Sequence, residues 1–284
     1  MKTRMAVAVF GLSLVLLVGC GPKNPPGGDA TGRPARADGT LPGDEHIKNP
    51  EVAYNMALEF AGQRNFDAAH HYIALASRME PQAKYSYADA LFYLSEGRYA
   101  EALGKLELAL RQGPGTSENR VAVLNAMGVC HMQLGHDEEA LTVLREVVNA
   151  PGLFSRYEAY YNMGVIYMRQ NKPLDAEAVF LKVVEENPRY YRGYNKLGVL
   201  AAAKDRWADA ALYFKKALDL MANNFEALQA DGAEVYYHYG EALFQEKMYP
   251  EARAALLEVL KIAPEGTFGQ SAKRLLQEMG GSTG

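Results

Sequence analysis

One 34-residue spacing governs this chain. Ala57, Ala69 and Pro81 stand 12 residues apart, and so do Ala90, Ala102 and Pro114. Gly164, Ala176 and Pro188 repeat the interval, as do Gly240, Ala252 and Pro264, while Gly128 with Ala140 and Gly198 with Ala210 keep its first half. Counting from the first residue of each unit, small residues at positions 8 and 20 let two helix backbones approach closely, and proline at position 32 ends the second helix. Positions 4, 7, 11, 17, 24 and 27 make the apolar stripe that such a helix pair must bury. In the unit that begins at residue 157 these are Tyr160, Met163, Tyr167, Pro173, Phe180 and Val183. A single pair cannot cover its own stripe, so consecutive units must stack.

The pattern resembles the tetratricopeptide repeat, two antiparallel helices per unit. It implies an all-α chain, a right-handed α-solenoid of about six repeats near residues 50–82, 83–116, 121–154, 157–190, 191–224 and 233–266, with a C-terminal capping helix over 267–280. Asn49-Pro50 is a helix start, with a capping residue followed by proline at the first helical position. Ser155 and Glu158 have the spacing of a capping box opening the fourth unit. An excess of eight residues, Phe225 to Gly232, precedes the sixth unit. It either lengthens the next helix by about 12 Å or forms a loop at Asp231-Gly232.

Residues 1–19 read as an export signal: Lys2 and Arg4, then an apolar run over Val7–Val18 too short to span a bilayer. The run ends in Leu17-Val18-Gly19-Cys20, which resembles a lipobox and implies acylation of Cys20. Gly21 is not the aspartate of an inner-membrane retention signal, so the anchor is expected in the outer membrane, with the domain facing the periplasm. Residues 21–48 hold six glycines and five prolines and almost no large apolar side chain, which predicts a flexible tether over 20–48. Its root-mean-square reach is roughly 30 Å. The repeat domain then occupies 49–284.

Little in the chain suggests catalysis. With Lys2 and Arg4 lost in the leader, 28 basic against 34 acidic residues leave a charge of about −6 and no basic run, which argues against nucleic acid. Once Cys20 carries lipid, Cys130 is the one remaining cysteine and cannot form an intramolecular disulfide. The histidines (His46, His70, His71, His131, His136, His238) form no metal-ligand spacing, and neither a phosphate-binding glycine loop nor a nucleophile elbow occurs. No cofactor, metal or small-molecule substrate is expected.

The repeat architecture instead directs attention to the groove lined by positions 2, 5, 9 and 12 of the first helices. These give Tyr54 and Leu58; Tyr87, Leu91 and Leu94; Asn125, Val129 and Met132; Tyr161, Val165 and Met168; Asn195 and Val199; and Tyr237, Glu241 and Phe244. Only Lys84 and Arg192 add positive charge there. An apolar, aromatic and Met-bearing groove of this kind suits an amphipathic helix or an extended apolar segment of a protein partner. Tyr87, Leu91, Val129, Met132, Tyr161, Val165 and Met168 are expected to make one wall.

Further residues narrow the resemblance. Pro151 stands 13 before Gly164, Ala159-Tyr160-Tyr161-Asn162-Met163-Gly164 follows, and Asn125-Ala126-Met127-Gly128 occupies the matching place one unit earlier. In this the chain resembles the type IV pilus pilotin family (PilF, PilW and Tgl). That resemblance implies a non-catalytic, lipid-anchored factor that binds secretin subunits and assists their assembly or localisation in the outer membrane. The other reading is a general periplasmic lipoprotein adaptor for outer-membrane protein assembly or peptidoglycan enzymes.

Overall fold

The computed structural model describes residues 44–150 and 156–281. The leader, Cys20, most of the tether and Pro151 lie outside the described residues. The described chain is helical and divides into two compact units that meet in sequence after Gly135. The first unit holds α1 (Pro50–Gly62), α2 (Phe66–Met79), α3 (Ala83–Ser95), α4 (Tyr99–Gln112) and α5 (Ser117–Gln133). The second holds α6 (Asp137–Asn149), α7 (Tyr157–Arg169), α8 (Pro173–Glu186), α9 (Tyr191–Ala202), α10 (Trp207–Met221), α11 (Phe225–Gln245), α12 (Tyr249–Ile262) and α13 (Thr267–Gly281).

Local chemistry explains where these helices start and turn. Asn49, Asn65, Thr116 and Asn224 each accept a backbone N–H of the first turn through the side chain, at 2.9 to 3.3 Å. Position 15 of every unit lies in the left-handed region: Arg64, Gly97, Gly135, Asn171, Asp205 and Lys247, with φ between 54° and 79°. The next N–H then donates back to the helix it leaves, as Asn65 does to Phe60 and Met248 to Leu243, both at 2.9 Å. This satisfies carbonyls that the helix end would otherwise leave open. Gly97 and Gly135 adopt that conformation without strain, whereas Arg64 and Lys247 hold it at a steric cost.

Packing explains the small residues. Ala57, Ala69, Ala90, Ala102, Ala176, Ala210 and Ala252 are wholly buried. A methyl group built on Gly164 would stand 2.6 Å from the Phe180 ring, and one on Gly198 would stand 2.6 Å from Phe214. Both distances are shorter than van der Waals contact, so a larger residue at position 8 must displace the large residue at position 24.

The structure decides between the two readings of the eight-residue excess and changes three other local expectations. The eight-residue excess is helix, not loop, because α11 runs unbroken for 21 residues from Phe225. Gly232 serves packing there: an added Cβ would lie 3.2 Å from Ile262 on α12. The tether ends earlier than 48, because residues 44–46 form a 3-10 turn that Asp44 fixes by accepting His71 Nε2 at 2.8 Å, and Ile47 packs on the core of α1 and α2. α5 starts at Ser117, four residues before the expected unit, because Thr116 caps it. The capping box expected at Ser155 and Glu158 does not start α7, whose N-cap is Arg156 without a side-chain cap; Ser155 itself lies outside the described residues.

Candidate functional site: the row of first helices

In the first unit, Tyr54 and Leu58 on α1, Tyr87 and Leu91 on α3, and Asn125, Val129 and Met132 on α5 are all half-buried. Their inner edges pack on the hydrophobic clusters beneath: Tyr54 and Leu58 on one, Tyr87, Leu91 and Val129 on the next. Leu94 does not belong with them. It is 2% exposed and sits in the cluster of Ala102 and Leu106, turned onto its own second helix. Lys84 is no free cation either: it pairs with Glu51 and lies over the rings of Tyr54 and Tyr85. The hydrogen bonds from Lys84 and from the Tyr85 hydroxyl hold the Glu51 carboxyl below the usual carboxylate range.

In the second unit, Tyr161, Val165 and Met168 on α7, Val199 on α9, and Tyr237 and Phe244 on α11 are likewise half-buried. Asn195 is buried and is not an open groove residue, because its Nδ2 donates to Glu234 Oε1 at 2.9 Å. That bond belongs to a polar cluster that interrupts the apolar row expected here. Arg192 Nε donates to Asp231 Oδ2 at 2.9 Å, the Tyr191 hydroxyl donates to the same oxygen at 2.6 Å, and Lys196 Nζ reaches Glu234 at 3.5 Å. Around them lies a cavity of about 220 Å³ lined by Tyr161, Arg192, Asn195, Lys196, Asp231 and Glu234. Burial disfavours a charge on Arg192, yet the bond to Asp231 outweighs it and raises its pKa. Burial, with the nearby carboxylates of Asp231 and Glu234 adding to it and Arg192 opposing it, pushes the Tyr161 hydroxyl up to about 12, so it stays protonated. A second cavity, of about 270 Å³, opens between α11 and α13, with Tyr237, Phe244 and Leu275 as its apolar wall and Glu241, Arg274 and Glu278 as polar partners.

Sequence reasoning missed Asp231, Glu234 and Lys196. Glu234 stands at position 2 of its unit, so the spacing alone could have marked it. Asp231 precedes the unit and comes into play only because the excess residues are helical. Glu241, at position 9 of the same repeat, accepts from the Tyr237 hydroxyl at 3.3 Å.

Cys130 is buried, and burial pushes its thiol up to about 12, far from a nucleophilic thiolate. Among the described residues no group of three or more His, Cys, Asp or Glu side chains is placed to hold a metal ion, and no helix is long and apolar enough to cross a membrane.

Comparison with known proteins agrees with the helix pairs. A tetratricopeptide repeat family model matches residues 54–117, 161–225 and 222–267, and a second one matches 93–157. The human protein O-mannosyl-transferase TMTC2 is 30% identical over 95 residues, 33% of this chain but 11% of that protein, so the chain spans about a tenth of this curated relative. Among solved structures, PilF of Pseudomonas aeruginosa superposes with a TM-score of 0.66 at 17% identity, over 79% of this chain and 96% of that one. PilW, described as a widely conserved type IV pilus biogenesis factor, gives 0.65 at 16% identity, over 78% and 97%. At such identities the likeness is one of fold. Repeat spacing, left-handed turns at position 15 and the family models agree, and the chain belongs to the tetratricopeptide repeat family.

Proposed function

We propose that this chain is a pilotin-like scaffold, anchored in the outer membrane through acylated Cys20, that takes up secretin subunits on its row of first helices and helps them assemble for type IV pilus biogenesis. The observation that carries the reading is the face of first helices within each of the two compact units. Side chains such as Tyr54, Tyr87, Val129, Tyr161 and Val165 are half-buried, held by the clusters beneath them and still offering apolar surface. Tetratricopeptide repeat proteins bind protein partners, and the fold matches PilF and PilW across nearly their whole lengths. Rigid aromatic and aliphatic side chains on a helical scaffold suit an apolar segment of a partner.

Deletion of the gene followed by a blot for heat-resistant secretin multimers tests this. Loss of multimers, restored by the wild-type chain and not by Cys20→Ala, is expected. Normal multimers in the deletion strain would assign the scaffold to another envelope assembly.

A further inference from the structure

His70, on α2, meets a carboxylate at each ring nitrogen. Nδ1 is 2.5 Å from Asp89 Oδ1 and Nε2 is 2.8 Å from Glu96 Oε2, both carboxylates coming from α3 and its C-cap. The ring lies 4.1 Å from that of Tyr93 between centroids and edge-on to Phe92. Its side chain is 17% exposed, and that of Asp89 8%. From α4 and its N-cap, Lys105 binds the other oxygen of Asp89 at 2.8 Å, while Arg98 approaches Glu96 at 3.6 Å and covers Tyr93. His71, the next residue on α2, turns to Asp44 instead.

A neutral imidazole carries one N–H and one lone pair, so it can satisfy one of the two carboxylates and must turn its lone pair on the other. Only the imidazolium donates to both. We propose that His70 is a proton-operated clasp fixing the first repeat to the second, closed when the ring is protonated and slackened when it is not. Burial of the ring opposes the charge, but the bonds to Asp89 and Glu96 outweigh it and raise the pKa above 6.5. A raised folded-state pKa means that the clasp's contribution is complete below pH 6.5 and is lost as pH climbs through the higher value. α1 and α3 carry Tyr54 and Tyr87, so the clasp also sets how that part of the row is presented. This last step rests on the row being the binding face; the clasp itself does not.

The test uses the full-length chain between about pH 6 and pH 9. Side-chain NMR should show His70 titrating above 6.5. Amide exchange in α1 and α2, corrected for its intrinsic pH dependence, should accelerate several-fold relative to α12 across the same interval. His70→Gln should abolish that pH dependence, and Glu96→Gln, a milder change, should move the His70 titration downward. A titration at or below 6.5, or the same pH dependence in His70→Gln, would overturn the clasp. Secretin assembly is read separately, so failure of the clasp and failure of the proposed function remain distinguishable.

Discussion

Gly164 and Phe180 test the repeat register most sharply. An alanine methyl at position 164 would lie 2.6 Å from two ring carbons of Phe180, a side chain that is itself fully buried among Ala176, Val183, Leu197 and Leu200. The ring must retreat by about 1 Å into a filled core, a kind of overpacking that costs about 1–3 kcal/mol. Replacing a mid-helix glycine by alanine returns about 1 kcal/mol, so Gly164→Ala should lose about 0–2 kcal/mol net. Phe180→Leu alone leaves space unfilled and costs about 1–3 kcal/mol. Together the two changes recreate what other units already use, since Ala57 with Ile73 and Ala90 with Leu106 fill the same two positions and are fully buried. The double variant should therefore be more stable than the sum of the singles by about 1–2 kcal/mol. Urea unfolding followed by far-UV circular dichroism measures the cycle. Amide exchange in α7 and α8 localises it, because stacked repeats need not unfold together. Additivity within about 0.5 kcal/mol would refute the argued contact.

The position-15 turns make a second prediction: Arg64→Gly and Lys247→Gly should each stabilise by about 0.5–1 kcal/mol in the same assay, by relieving left-handed strain. Asp231→Ala should cost about 1–2 kcal/mol by leaving Arg192 and the Tyr191 hydroxyl without their shared acceptor. It should also make the cavity attract acidic fluorescent peptides in a salt-sensitive way, where the wild type does not. Cys130, in a Cys20→Ala chain, should resist a thiol reagent at mildly alkaline pH until urea opens the fold, because its thiol is buried and pushed up to about 12.

The repeat period made much of this structure legible in the sequence. Within a unit, position fixes packing: Gly164 over Phe180 and Gly198 over Phe214 are the same contact one period apart. The period says nothing where residues are added. Asp231-Gly232 reads as a turn signal, yet the segment stays helical with the glycine buried close to Ile262 on α12. That choice brings Asp231 to Arg192 and so turns part of an expected apolar row polar. Leu94 and Asn195 failed for a related reason. Repeat position gives the side of a helix, while the length and partners of the individual side chain decide whether it reaches outward. Asp44 was hidden because it lies in a stretch whose composition alone suggested a tether, while its partner, His71, is 27 residues away on α2.

The central claim, that a partner docks on the row of first helices, is tested most directly by secretin multimer formation in cells carrying Tyr161→Ala with Val165→Asp. An unpaired carboxylate in an apolar contact costs several kcal/mol, on the order of what holds a micromolar partner. Multimers should disappear while the purified variant keeps its helical spectrum, and Lys182→Glu on α8, a second helix, should leave them at wild-type level. Multimers that persist in the double variant and vanish in Lys182→Glu would place the partner on the second helices instead.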